Sequence, residues 1–387
     1  MASSLARAAA TRDPSAPSAG WYVPRVTTPQ PSVTGIALAR ALYEEVVAPV
    51  LDVAGVPHAA GRLGSGSDVL GFDDDTSRDH DWGLRLTVLV DDAAVPEVDA
   101  LLEARLPPSW RGHPVRFATT WDPVVRHRVE VTSARALAVA RLGADPTGRL
   151  EPWQWLALTG QSVLEVCAGP VFHDGPGELT ATRERLARYP EDVGRYVVAA
   201  GWAHLGQELP FVGRTGSRGD ELGSAVLAGR LARLAMHLGH VLEGRWAPYA
   251  KWLGTSFAAL PAASSAAPHL RDALAATAWP EREAALARAL DVLLAVQASV
   301  GLPVPDGASD GAATVPFFDR PFRGVAPVPE VVREAITDPA VRALPVGVGC
   351  VEQWVDDVHV LMDPARRFAV ARAALSGGAP PVTAVGP

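Results

Sequence analysis

Around Asp145-Pro146-Thr147-Gly148 the hydrophobic period of this 387-residue chain changes, and that change restricts it to a fold in two unlike parts. Before it, β-branched and aliphatic runs predict strands over 84–90, 115–119 and 128–132. Helical spacing of Ala37, Leu38, Ala41, Leu42, Val46 and Val47 predicts a helix over 35–53, and a second is expected over 95–104. After it the period is helical almost to the end, over 152–167, 178–188, 190–209, 219–243, 247–261, 268–276, 280–299 and 328–337. The expected class is α+β, with a small mixed α/β domain over 31–148 and a larger α-helical domain over 149–387. Residues 1–30, rich in Ala, Ser and Pro with scattered Arg and no apolar core, read as a flexible tail and not as a secretory signal. The stretch 303–315 is a Gly/Pro/Ala-rich connection, and no repeat of solenoid period stands out.

Composition narrows the classes of function. The chain is 48% hydrophobic and 20% charged but has no apolar run long enough for a membrane span, so no membrane role is expected. A net charge of −8 argues against extensive nucleic acid contact and favours a small-molecule or protein partner. Two cysteines, Cys167 and Cys350, make neither a disulfide framework nor a zinc spacing, which fits a cytoplasmic location.

The chemistry concentrates in Gly64-Ser65-Gly66-Ser67-Asp68 and, further on, Asp79-His80-Asp81. If the strand at 84–90 extends back to Asp79, Asp79 and Asp81 project from one face, because side chains alternate along a strand. Two same-face carboxylates suit hard cations, and a pair of Mg²⁺ ions roughly 4 Å apart clamps the attacking and leaving oxygens of an in-line displacement. Glycine at position 64 lets backbone N–H groups approach phosphates, and the Ser65 and Ser67 hydroxyls add donors. A calcium loop starting at Asp73 fails, with Arg78 where Gly is required and Leu84 where Glu is required.

Leu63-Gly64-Ser65 followed by Asp79-His80-Asp81 resembles the active-site pattern of the nucleotidyltransferase superfamily of the DNA polymerase β type, with His80 where an apolar residue is commoner. The blocks Gly219-Asp220-Glu221-Leu222-Gly223, 245–254 and Phe318-Asp319-Arg320-Pro321-Phe322-Arg323 resemble those of the DUF4037 family, usually assigned to that superfamily. The resemblance spans most of 35–330 and implies a nucleotidyltransferase-type α/β domain followed by a helical substrate domain. It also implies a third acidic residue on a later strand, for which Glu130 is the choice and Asp122 the competitor. The expectation is an enzyme transferring an NMP from an NTP to a hydroxyl or amine of a small molecule or protein, with Asp79, Asp81 and Glu130 holding Mg²⁺ or Mn²⁺. The alternative is a catalytically degenerate nucleotide-binding or protein-interaction module on the same fold.

In the helical part, Arg214, Arg218, Arg230, Arg233, Arg245 and Lys251 cluster near two predicted helices, and a triphosphate needs cations beyond its metals. Lys251 is the strongest candidate, since Trp246, Tyr249 and Trp252 beside it offer a stacking surface for a base. Arg320 and Arg323 remain open between binding and surface roles. His237, His240 and Glu243 share a helical face at a spacing able to ligate a metal, although polar packing is the simpler reading; His204 and Glu208 form a similar i, i+4 pair. Gly307-Ala308-Ser309-Asp310-Gly311 spells a serine-hydrolase elbow in a connection with no flanking strand and helix. There is no P-loop and no third glycine of a dinucleotide fingerprint.

Overall fold

The computed structural model describes residues 34–72, 83–119, 122–306 and 312–376. The chain starts with helix α1 (Gly35–Leu42), whose cap Thr34 accepts the Ala37 N–H on its hydroxyl. A π-helical turn over Tyr43–Val47 leads into α2 (Ala48–Val53). Pro49 accounts for that widening, because it has no N–H for the Glu45 carbonyl and its ring crowds the preceding turn.

A sheet forms from β1 (Ala59–Gly61) and β2 (Leu86–Leu89), followed by α3 (Val95–Arg105). Two small ladders come next, β3 (Ser109–Trp110) with β4 (His113–Pro114) and β5 (Arg116–Phe117) with β6 (Arg126–His127). Then follow β7 (Val129–Thr132), α4 (Ala134–Leu142), α5 (Pro152–Ala157), α6 (Gly160–Cys167) and β8 (Val171–Asp174). The main sheet has the order β7-β2-β1-β8, with β2 and β7 parallel and β1 antiparallel to both β2 and β8. All four residues of central β2 are buried, so both faces of the sheet are covered. On one face Ala60, Leu86, Val88 and Val129 pack against Leu38, Leu42, Leu51 and Leu102. Each fully buried leucine there contributes about 2 kcal/mol of transfer free energy. On the other, Ala59 and Leu89 meet Ala134, Leu137 and Leu179.

Beyond β8 the chain is helical: α7 (Glu178–Arg185), α8 (Glu191–Gly216), α9 (Glu221–Leu242), α10 (Ala250–Phe257), α11 (Ala267–Ala275) and α12 (Trp279–Ser299). A hairpin of β9 (Thr314–Pro316) and β10 (Arg323–Val325) precedes α13 (Val328–Glu334), α14 (Pro339–Arg342), α15 (Val358–Leu361) and α16 (Pro364–Leu375). The largest core lies among α8, α9, α11, α12 and α13, where the buried Trp202 indole donates to Gln297 at 2.6 Å.

The α+β class holds, with a small mixed sheet and a helical remainder. Three details differ from expectation. The helix expected over 152–167 is two helices, because Leu158 turns extended and Thr159 caps a new start by accepting the Ser162 N–H. The strand β8 falls within the part expected to be helical, so the sheet crosses residue 148. One core cluster crosses it as well, joining Val69, Leu70 and Phe72 to Leu158, Val163 and Trp246. Among the described residues no helix is long and apolar enough to cross a membrane.

Candidate functional site

Sheet register brings the Gly/Ser turn and Glu130 to one end of the sheet. Gly61 closes β1 opposite Thr87, and Thr87 lies opposite Glu130, so the three form a row across β1, β2 and β7. The Gly/Ser turn leaves β1 at that end, and the described chain resumes at Gly83 just before β2 begins there. Asp79 and Asp81 lie outside the described residues, in the segment 73–82 between these anchors.

Arg62 organises the turn. Its buried guanidinium donates twice to Asp68, at 2.7 and 2.9 Å, and to the carbonyls of Leu63 at 2.6 Å and Ser65 at 2.9 Å. Gly64 and Gly66 adopt φ of +81° and +132°, a region that side chains disfavour. A Cβ on Gly66 would stand 2.2 Å from Asp68 Oδ1, so the close wrap of the turn around this ion pair requires glycine. The Gly64 N–H, expected to face phosphate, instead donates to the Glu165 carbonyl at 2.8 Å. That bond fastens the turn to α6. The N–H groups of Ser65, Gly66 and Ser67 have no acceptor among the described residues, and all three residues are half-buried. Ser67 accepts the N–H groups of Leu70 and Phe72 on its carbonyl, leaving its hydroxyl without a partner among the described residues.

Two arginines that sequence reasoning did not single out flank the turn. Arg85 donates to the Ser65 hydroxyl at 3.3 Å. Arg141, on α4, pairs with Glu165 at 3.3 Å, and its guanidinium lies 3.2 Å from where a Gly64 Cβ would be. Arg85 shares strand parity with Thr87, which is a weak signal; nothing in the local pattern marks Arg141.

Glu130 is exposed and has no ion-pair partner among the described residues, so its charge is available to a cation. Asp122 differs. Hydrogen bonds from Arg128 and Arg126, at 2.9 and 2.5 Å, hold its pKa down to about 2 and use its carboxylate fully.

Lys251 is exposed on α10, with Nζ 5.0 Å from the centre of the Trp252 ring. Trp252 stacks on Phe72 at 4.4 Å with planes 16° apart. Phe72 is the last described residue before 73–82, so the Lys251 corner meets the stem of the segment bearing the two aspartates. Gln161 links the same corner to the turn. Its amide donates to Glu165 at 3.2 Å, and its oxygen accepts the Tyr249 N–H at 3.5 Å.

Four of the other expected cations are engaged elsewhere. Arg230 pairs with Glu208 at 2.7 Å and Arg233 with Asp356 at 2.7 Å, while Arg214 covers the Phe211 ring. Arg323 donates to Thr314 on the β9–β10 hairpin. His204 and Glu208 each take another hydrogen-bond partner, the imidazole the Gly347 carbonyl at 2.7 Å and the carboxylate Arg230. The triad His237, His240 and Glu243 is not a cluster. The Glu243 carboxylate accepts the Ala262 and Ala263 N–H groups, and His240 lies between the Met236 carbonyl and the Ser256 hydroxyl, each at 2.9 Å. The elbow-like letters at 307–311 lie outside the described residues.

No curated protein matches the chain. The crystal structure of a nucleotidyltransferase-like protein from Exiguobacterium sibiricum 255-15 is similar at 13% identity and a TM-score of 0.30, covering 66% of this chain and 77% of that one. The family model for the domain of unknown function DUF4037 matches residues 155–253, from Trp155 on α5 to Leu253 on α10, and so includes Glu165 and Lys251. The match runs across the central helices of this chain.

Proposed function

We propose that this chain is a Mg²⁺-dependent nucleotidyltransferase that moves an NMP from an NTP to a hydroxyl or amine of a small molecule or protein and releases pyrophosphate. The observation carrying this reading is the common end of the sheet shared by the Ser65–Ser67 amides, the carboxylate of Glu130, which has no ion-pair partner among the described residues, and the anchors of the segment with Asp79 and Asp81.

The donor set fits the metal. Asp79, Asp81 and Glu130 offer hard carboxylate oxygens, as Mg²⁺ or Mn²⁺ requires, and Glu130 is spent on no other cation among the described residues. Bound there, Mg²⁺ neutralises phosphate charge and makes the acceptor a better nucleophile. The Ser65, Gly66 and Ser67 N–H groups donate to phosphate oxygens from a turn that Arg62 and Asp68 hold in place before the substrate arrives. Gly64 contributes its conformation, its N–H being used by Glu165. Lys251 supplies a mobile positive charge, and Trp252 on Phe72 supplies an aromatic surface for the base. The acceptor oxygen or nitrogen bonds to the α-phosphorus, the bond to the β-phosphate oxygen breaks, and pyrophosphate leaves with the electron pair. The acceptor's proton passes to Glu130 or to water. The reaction is assigned to the cytoplasm, with no membrane and no extensive nucleic acid contact.

Incubating the protein with α-labelled NTPs, Mg²⁺ and a metabolite extract tests this reading. Label should move onto an acceptor only when the metal is present. NTP binding by calorimetry without any transfer would favour the degenerate binding module; absence of NTP binding would remove both readings.

A further inference from the structure

Away from the sheet, three metal-binding side chains from distant parts of the sequence meet inside the helical part. His237 projects from α9, while Cys350 and Glu352 belong to a tight 3₁₀ turn after α14. His237 Nε2 is 3.7 Å from Glu352 Oε2 and 4.0 Å from Cys350 Sγ, and the three ligand atoms lie within 4.8 Å of one another. All are withdrawn from solvent, with Cys350 fully buried. A tetrahedral zinc with ordinary bond lengths spaces its ligands by roughly 3.3–3.8 Å. Closing this cluster around an ion therefore takes side-chain adjustments only, on the order of 1 Å or less.

The surroundings hold the cluster in place. The Cys350 N–H donates to Gln353 at 2.9 Å, Gln353 donates to the Val197 carbonyl at 3.0 Å, and the Gly160 N–H at the start of α6 donates to Glu352 Oε2 at 2.8 Å. Such outer contacts orient a ligand without occupying all of its lone pairs. The Tyr189 hydroxyl is buried next to the Cys350 thiol and the Glu352 carboxylate, and burial pushes its pKa up. A water bound to a metal at that spot would accept a hydrogen bond from it.

We propose that His237, Cys350 and Glu352 bind a Zn²⁺ ion that pins the 350–353 turn to α9 and to the start of α6, with a fourth position facing Tyr189. Sulfur, imidazole nitrogen and carboxylate together select zinc over the hard cations assigned to the aspartate site. With thiolate, carboxylate and neutral imidazole as ligands the site carries no net charge, as a buried location requires. The thiol and imidazole protons leave to solvent on binding. This site is independent of the transferase assignment.

Zinc content of the purified full chain and substitution by Co²⁺ test the proposal. One equivalent of zinc is expected. Co²⁺ should give a thiolate-to-cobalt charge-transfer band and tetrahedral visible bands in the otherwise unaltered protein. The band should vanish in Cys350→Ser and survive both in Cys167→Ser, whose thiol is buried elsewhere, and in Asp79→Asn/Asp81→Asn. A folded unaltered protein that shows no such band on Co²⁺ addition would overturn the proposal, as would a band retained in Cys350→Ser. Because the decisive spectrum belongs to the unaltered chain, failure of a variant to fold leaves the test intact.

Discussion

Replacing Gly66 by Ala would set a Cβ 2.2 Å from Asp68 Oδ1 and 2.6 Å from the Arg62 guanidinium, on a backbone with φ +132°. The expected cost is about 1–3 kcal/mol of stability from strain, together with weaker NTP binding, since the Ser65–Ser67 amides depend on the Arg62–Asp68 pair for their direction. Calorimetric titration with NTP checks the second part, and unchanged affinity would contradict it. His240 gives a prediction in pH. The Met236 carbonyl can only accept, so Nδ1 carries the proton and Nε2 accepts from Ser256, and burial holds the imidazole down at about 4. Above about pH 6.5 neither folded nor unfolded chain protonates this ring. As pH falls below that, the unfolded chain binds the proton first, so stability drops until about pH 4, where the folded ring titrates as well. Urea midpoints measured at pH 7 and pH 5 should therefore separate more in the unaltered protein than in His240→Gln. Equal separations would show that the ring does not carry this pH dependence. Individual residues were legible where geometry is local, as in the left-handed backbone of Gly64 and Gly66 and the alternation that leaves Glu130 exposed. Arg141 and the companions of His237 were not, because only folding brings Gly64 to α4 or Cys350 to α9.

Among the elements, the break between α5 and α6 shows how a tertiary contact overrides period. A Cβ on Gly160 would lie 2.0 Å from the Ala247 carbonyl oxygen, so the two segments pass backbone to backbone. Gly160→Ala is expected to cost about 3 kcal/mol or more, as overpacking against rigid backbone does. Thr159→Ala removes only the cap and should cost about 1 kcal/mol. Denaturant midpoints of the two variants test the ordering, and equal losses would show that the close approach is relaxed cheaply. Apolar spacing reads continuously from 152 to 167 because both halves are buried, α5 by Leu156 and Ala157 in one cluster and α6 by Val163, Leu164, Val166 and Cys167 in another. For β8 the obstacle is length. Val171-Phe172-His173-Asp174 is too short for a period to register, and only pairing with β1 makes it a strand. The long helices α8, α9 and α12 were legible because amphipathic period accumulates over many turns.

At the scale of the molecule, the change of period near residue 148 foretold a small sheet followed by helices, but the two parts share a strand and a core. β8 completes the sheet from beyond that point, and Phe72 stacks on Trp252. This sharing lets a helix bearing Lys251 stand next to the stem of the acidic segment. Phe72→Ala is accordingly expected to raise the KM for NTP several-fold, with a smaller change in kcat; an unaltered KM would detach α10 from the nucleotide. The central claim is the proposal that Asp79 and Asp81 carry metal-dependent nucleotidyl transfer. Pyrophosphate release from NTP, followed with Mg²⁺ across a panel of acceptors, tests it most directly in the unaltered protein and in Asp79→Asn/Asp81→Asn. The account predicts release that depends on metal and acceptor and falls at least a hundredfold in the double variant, a loss on the order of 3 kcal/mol of transition-state stabilisation. Equal release by both proteins would contradict it.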